Sequence, residues 1–214
     1  PCRKVGPGQV LVAMPQAVKG AASSPGADTS RFVASLSRIY PCQPVQNVFE
    51  ATLNSPNLVI HLAASLLNLS KMESSPDFRL YRDGLTPGVF RLLEAMEEEK
   101  QAVMSGMGYT YVRSVDFLHS LDQPSLALFR ELDGPTGLSH RYLTEDAYAG
   151  VNLMTSLAAP AGCQTPIAQA LVTLASALNQ TDYAQEGLSL RTFGLEGRSA
   201  SEINDYLETG ELRI

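Results

Sequence analysis

Apolar residues recur every three or four positions through most of the chain, which is the spacing of amphipathic helices. From Asn47 onward this period predicts about seven or eight helices, separated by breaks that are rich in proline and glycine. A long helix is expected to start at Pro87, behind the capping residue Thr86, and to continue to about Gly106. The helix that follows Pro56 is expected to turn inward Val59, Ile60, Ala63, Leu66 and Leu67.

The first 46 residues follow a different pattern. Residues 9–15 form a compact apolar run rich in β-branched side chains, which predicts a strand. A loop of small residues then leads to a helix that is expected between Asp28 and Tyr40. This order indicates α/β structure, and the partners of the single strand are expected to lie outside this sequence. The chain also opens at Pro1 without an initiator methionine, so it is expected to be cut from a longer protein.

Two charged segments have simple structural interpretations. Residues 97–100, Glu-Glu-Glu-Lys, are expected to form a solvated helix face. Farther along, a helix is expected to begin between Thr144 and Asp146, because early acidic residues suit the positive end of the helix dipole.

Composition and charge exclude several classes of function. The net charge is -6 without a block of basic residues, which argues against nucleic acid and anionic membranes as partners. The longest apolar stretches are too short or too interrupted to span a bilayer. The 3 histidines and 3 cysteines are scattered, which argues against a metal site. An odd number of cysteines without a signal peptide favours a cytoplasmic location.

A small set of polar residues could carry chemistry. His61 lies in an apolar helix one turn after Asn57, and Arg141 and Asp146 lie in a later helical segment. Taken singly, His61 fits a core histidine, Asp146 a helix start and Arg141 a surface ion pair. Taken together, a carboxylate could orient the imidazole for proton transfer, while the arginine binds a substrate carboxylate. Sequence spacing leaves open whether these groups meet.

Several ordered segments resemble the octopine/nopaline (opine) dehydrogenase family over roughly residues 47–210. They are residues 54–61 (NSPNLVIH), 78–87 (FRLYRDGLTP), 141–146 (RYLTED), 161–166 (AGCQTP) and 192–197 (TFGLEG). Residues 1–46 look like the tail of the family's nucleotide-binding, Rossmann-type domain. The expected fold class is therefore mainly α: a multi-helix C-terminal domain at 47–214, preceded by a short α/β remnant of a Rossmann-type domain at 1–46.

The resemblance implies a reductive condensation of an amino acid with a 2-oxo acid. His61 falls on the catalytic histidine, Asp146 on its aspartate partner and Arg141 on the arginine of the same site, for which we infer contact with a substrate carboxylate. Asn57, on the same helix as His61, is a further candidate for substrate binding. Leu62 follows His61 where the family usually has proline, which makes the helix more regular. NAD or NADP is expected to bind mainly to an N-terminal Rossmann domain, since the fingerprint G-x-G-x-x-G occurs nowhere in this sequence. The chain alone is therefore expected to be inactive.

Two other functions remain open from sequence. One is a helical interaction or dimerisation module without catalysis. The other is a related reductase domain that acts on a hydroxy acid and needs no amine. The expected partners of the enzyme are its two small-molecule substrates, the N-terminal Rossmann domain and a second copy in a homodimer.

Overall fold

The computed structural model describes residues 10–12, 33–35, 37–38, 42–119, 121 and 124–212. Two short strands, β1 (Val10–Val12) and β2 (Cys42–Pro44), pair in parallel. The expectation that the strand's partners lie outside the sequence is therefore wrong. The β2 segment, Cys-Gln-Pro, carries no β-branched residue and ends in proline, so nothing in its composition predicts a strand. Of the helix expected over residues 28–40, residues 33–35 are helical, and most of the remainder lies outside the described residues.

The rest of the described chain is mainly helical. The helices are α1 (Val48–Leu53), α2 (Asn57–Leu67), α3 (Leu69–Ser74), α4 (Leu80–Asp83), α5 (Pro87–Met107), α6 (Val115–His119), a 3₁₀ helix (Pro124–Glu131), α7 (Arg141–Glu145), a π-helical turn (Asp146–Val151), α8 (Asn152–Leu157), α9 (Pro166–Asn179), α10 (Tyr183–Glu186) and α11 (Ala200–Thr209).

The long helix α5 has the ends that the sequence predicts. The side chain of Thr86 accepts a hydrogen bond from the backbone N–H of Val89, and Pro87 occupies the first helical position. The helix ends at Met107 and is capped by Gly108, whose φ of 76° lies in the left-handed region that glycine adopts readily.

Helix α2 lies at the centre of the fold. It packs against α5, α7, α9 and the π-helical turn. Its residues from Leu58 to Ser65 are all buried, as expected of a helix that is apolar on nearly every side. Leu67 departs from the expected inward position: it is 54% exposed at the end of the helix. Together with Leu174 and Leu178 of α9 it lines an apolar groove of about 450 Å³.

The prediction of a solvated face at residues 97–100 is wrong for three of the four side chains. Glu97 and Lys100 are buried and face the segment that follows α5. Glu97 accepts hydrogen bonds from the backbone N–H groups of Ser114 and Val115, and the Lys100 ammonium donates one to Ser114 Oγ at 2.7 Å. Burial lowers the pKa of Lys100 to about 8, although the nearby Glu97 carboxylate acts in the opposite direction.

The third buried charge of this segment, Glu99, caps another helix. Its two carboxylate oxygens accept hydrogen bonds from the backbone N–H groups of Ile167 and Ala168, in the first turn of α9. A carboxylate is stabilised at this position because the helix dipole and the free N–H groups both favour negative charge. Glu99 therefore joins α5 to α9, and Glu98 remains the exposed member of the run.

A close approach at Gly106 gives a prediction about packing. A methyl group added there would collide with the backbone carbonyl of Ala161. We expect Gly106→Ala to lower the free energy of unfolding by about 1–3 kcal/mol, the usual cost of overpacking. Gly88→Ala in the same helix is the matched control, because its nearest neighbouring atom would be 3.8 Å away. Urea unfolding of both variants measures the difference, and equal stabilities would contradict the packing described here.

Candidate active site

The structure brings His61 and Asp146 together. The imidazole Nδ1 lies 2.9 Å from an oxygen of the Asp146 carboxylate, although the two residues are 85 positions apart in sequence. His61 lies on the central helix α2 and is 2% exposed. The Asp146 side chain is 13% exposed, so the pair lies at the edge of the core.

Asp146 owes its position to an irregular helix. The helix begins at Arg141 and not, as the sequence suggests, between Thr144 and Asp146. Its second turn, Asp146–Val151, is π-helical and therefore wider than an α-turn. Asp146 is the first residue of this turn, which packs against α2. The wide turn thus sets the carboxylate beside His61 instead of at a helix N-terminus.

A second histidine caps this helix. The ring nitrogen Nδ1 of His140 accepts a hydrogen bond from the backbone N–H of Tyr142. Burial lowers the pKa of His140, and the neighbouring Arg141 guanidinium and His61 act in the same direction. A lowered pKa favours the neutral ring, and the cap needs a nitrogen lone pair.

The second ring nitrogen of His61 also has a partner. Its Nε2 lies 3.0 Å from the hydroxyl of Tyr81, which is buried on α4. Burial, reinforced by the nearby Tyr142, raises the pKa of Tyr81 far above its usual range, so the phenol keeps its proton. The Tyr142 ring stacks on the imidazole with centroids 3.5 Å apart and an interplanar angle of 16°.

Arg141 and Asn57 share a cleft with Asp146. The cleft has a volume of about 180 Å³, and Gly150 of the π-helical turn forms part of its wall. The guanidinium of Arg141 lies 3.4 Å from the carboxylate of Glu145, in an ion pair that is more than half exposed. Within the described chain, the side-chain amide of Asn57 has no hydrogen-bond partner. The sequence-derived residues Asn57, Arg141 and Asp146 therefore meet at one cleft, with His61 behind the carboxylate.

Sequence reasoning missed two aromatic residues of this site. Tyr142 is adjacent to Arg141, and Tyr81 lies within the turn segment at 78–87. Neither stands out by periodicity or charge. The signal that could have found Tyr142 is its place in the same short segment as Asp146, four positions before it, since residues four apart in a helix lie on the same face.

The described residues show no group of three or more histidine, cysteine or acidic side chains that could hold a metal ion. Among the helices that the structure describes, none combines the length and apolar character that crossing a bilayer requires.

Comparison with curated proteins finds several similar enzymes. An opine dehydrogenase from Arthrobacter sp. (strain 1C) is 31% identical over 222 residues, which cover 97% of this chain and 61% of that protein. Vitopine synthase from Allorhizobium ampelinum is 24% identical and covers 96% of this chain and 60% of its own length. Protein ocs from Agrobacterium tumefaciens is 25% identical over 74% of this chain and 47% of its own length. The chain thus spans from about half to three fifths of these relatives.

A family model agrees with these relatives. The model for the NAD/NADP octopine/nopaline dehydrogenase alpha-helical domain matches residues 44–179, which is more than half of the chain and includes His61 and Asp146. The mainly helical structure over the same residues fits this description. The chain therefore belongs to the octopine/nopaline dehydrogenase family and carries its alpha-helical domain.

Proposed function

We propose that this chain is the catalytic, substrate-binding portion of an opine-type NAD(P)-dependent dehydrogenase. The reaction is the reductive condensation of an amino acid with a 2-oxo acid, which yields a secondary amine dicarboxylate. The observation that supports it most strongly is the hydrogen bond between His61 and Asp146 beside a cleft that also contains Arg141. Membership of the family makes this chemistry the expected one.

His61 would transfer the proton in this reaction. A carboxylate can only accept hydrogen bonds, so Asp146 holds the proton of the neutral imidazole on Nδ1 and leaves the lone pair on Nε2. Asp146 also stabilises the imidazolium that forms when Nε2 takes up a proton. The amine nucleophile must lose a proton before it attacks the 2-oxo acid, and a positioned base typically contributes about 10²–10⁴-fold to the rate of such a step.

Arg141 would bind a substrate carboxylate. Its guanidinium offers a planar fork of donors at the cleft, and Glu145 is an exposed partner that a substrate carboxylate can replace at small cost. Asn57 adds an amide that can donate to or accept from a second polar group of the substrate. The small wall residue Gly150 leaves room for the chain of the acid.

The cofactor lies outside this chain in the proposal. NAD or NADP would be held mainly by an N-terminal Rossmann domain, and the nicotinamide would supply the hydride. The sequence pattern changes between residues 46 and 47. We infer that residues 1–46 are the tail of the Rossmann domain and that residues 47–214 are the substrate domain. A cytoplasmic location and a homodimer complete the proposal and remain predictions.

Substituting Arg141 tests the binding role. Because a hydrogen bond to a charged group is worth about 1.5–3 kcal/mol, we expect Arg141→Ala to raise the KM of the acid substrate about 10- to 100-fold. The matched control is Arg198→Ala, since Arg198 forms a similar ion pair with Glu202 on a helix away from the cleft. Steady-state kinetics on the protein joined to its upstream region gives both values. An unchanged KM in Arg141→Ala would remove Arg141 from the substrate site.

The function itself is tested by the substrates required for turnover. The protein with its upstream region should oxidise NADH or NADPH when an amino acid and a 2-oxo acid are both present. Turnover with the oxo acid alone, without an amine, would identify a hydroxy-acid reductase instead. If no mixture is turned over and the chain associates tightly through its helices, the interaction module is the better explanation.

A further inference from the structure

His140 holds the start of α7, the short helix that leads into the candidate site. Its ring nitrogen Nδ1 accepts a hydrogen bond of 3.3 Å from the backbone N–H of Tyr142, and its carbonyl oxygen accepts from the N–H groups of Leu143 and Thr144. We propose that His140 is a positioning residue of this site: its neutral ring keeps α7 in place, and protonation of the ring releases it. This inference rests on the function proposed above and deepens it.

Two contacts join this cap to the groups that would do the chemistry. The Tyr142 ring lies between two imidazoles: it stacks on His61 at 3.5 Å, and the His140 ring stands nearly perpendicular to it, with centroids 4.6 Å apart. The backbone N–H of Asp146 donates to the carbonyl of Arg141, the first residue of α7. A shift of the first turn of α7 therefore moves the ring that covers His61, the Arg141 guanidinium and the carboxylate that orients His61.

The cap matters for α7 because the helix is short. It has 5 residues, and a helix of this length is stable only with capping and packing. The cap needs the lone pair on Nδ1, which the neutral imidazole keeps and the imidazolium lacks, since both of its ring nitrogens carry protons. Protonation of His140 therefore replaces the acceptor with a donor that faces the Tyr142 N–H, and it sets a positive charge at the positive end of the helix dipole.

The charges around His140 set the direction of this effect. Burial lowers the pKa of His140, the Arg141 guanidinium and His61 act in the same direction, and the Asp146 carboxylate opposes them. Once the cap is broken, the ring has the ordinary histidine pKa of about 6.5, so the released state binds more protons than the capped state. Lowering the pH below about 6.5 therefore favours the released state. The other titratable side chains on α7 and next to it are Tyr142 and Glu145 on α7 itself, Tyr148 on the π-helical turn and Tyr81 on α4, whereas α9 carries none.

Two substitutions of His140 test the cap in the protein joined to its upstream region. At about pH 8, where an ordinary histidine is neutral, we expect His140→Ala to lower kcat/KM about 3- to 30-fold, the factor that corresponds to the usual strength of an N-cap. His140→Asn should stay within about twofold of the parent, because the asparagine side-chain oxygen is a favoured N-cap acceptor. His119→Ala is the matched control and should also keep its activity, since His119 is an exposed histidine on α6 that stacks on Phe90.

The pH profile separates the cap from a merely structural role. As the pH falls from about 8 to about 5.5, the ratio of kcat/KM in His140→Asn to kcat/KM in the parent should rise about threefold or more, because the asparagine cap does not titrate. This ratio cancels every titrating group that both proteins share, His61 included. A constant ratio, or equal kcat/KM in His140→Ala and His140→Asn at about pH 8, would overturn the inference, while turnover by the parent would leave the proposed function standing.

A second measurement does not depend on turnover. In NMR spectra of the 214-residue chain, the backbone amide resonance of Tyr142 should shift with the same pH midpoint as the ring of His140, and it should lose this shift in His140→Asn. A Tyr142 amide that ignores the titration of His140 would show that the cap is absent and would overturn the inference. Absence of turnover in the parent protein with every substrate mixture would refute the proposed function, and the positioning role with it.

Discussion

Replacing Asp146 by asparagine is expected to lower kcat of the protein joined to its upstream region by about two to four orders of magnitude. The asparagine amide can donate a hydrogen bond to Nδ1 of His61, which would move the ring proton to Nε2. In that tautomer Nε2 carries a proton and has no lone pair with which to accept another. The substitution also removes the negative charge that stabilises the imidazolium.

A loss of kcat caused by the changed site must be distinguished from a loss caused by unfolding. Asp133→Asn is a suitable control, because Asp133 is an exposed aspartate whose ion pair with Arg79 lies on the surface. Kinetics and urea unfolding should be measured on both variants. A loss of kcat in Asp146→Asn without a matching loss of stability supports the orienting role. Activity within about threefold of the parent would contradict it.

The second large effect is expected on the free energy of unfolding when Glu97 is replaced by alanine. This buried carboxylate accepts hydrogen bonds from two backbone N–H groups and from the hydroxyl of Tyr111, and it lies 3.9 Å from the buried ammonium of Lys100. Glu97→Ala would leave the two N–H groups and the Tyr111 hydroxyl without this acceptor, and the Lys100 ammonium without its neighbouring negative charge. Because removing one member of a buried charge pair costs about 3–5 kcal/mol, we expect the free energy of unfolding to fall by that amount.

Its neighbour gives the matched control. Glu98 lies on the same turn of α5 but is exposed, so Glu98→Ala should change the free energy of unfolding by less than about 0.5 kcal/mol. Urea unfolding of the 214-residue chain measures both variants. Equal effects at the two positions would show that residues 97–100 behave as the solvated face that their composition suggests.

The helices could be predicted from sequence because their signals are local. Apolar spacing and caps at Thr86 and Pro87 are enough to locate α5, and Pro56 and Pro166 mark the starts of α2 and α9 in the same way. These features depend on residues within a few positions of each other. The mainly helical class was therefore predicted correctly, and the family was predicted correctly from the resemblance of the ordered segments.

The errors arise where the deciding partner is distant in sequence. Glu97 is buried because residues 111–115 supply its donors, and Glu99 because the first turn of α9, 68 and 69 positions away, needs a cap. Local composition carries no information about such partners, so a run of charges resembles a solvated surface. The pairing of β2 with β1 was missed for the same reason.

The residues of the candidate site also divide into those with a local sequence signal and those whose partners are distant in sequence. Local spacing selected His61 and Asn57 as neighbours on one helix, but the contact with Asp146 spans 85 positions and could be expected only from the family resemblance. The π-helical turn that carries the carboxylate has no sequence signal, and Tyr81 contributes through a contact 20 positions away. The roles of all these residues are proposals that kinetics can decide.

The most direct test of the account compares single and double substitutions of the pair. We predict that the double variant His61→Ala/Asp146→Asn loses no more kcat than His61→Ala alone, because Asp146 acts through His61. The assay is NADH or NADPH oxidation with an amino acid and a 2-oxo acid, on the protein joined to its upstream region. Losses that multiply in the double variant, or activity that survives in His61→Ala, would contradict the account.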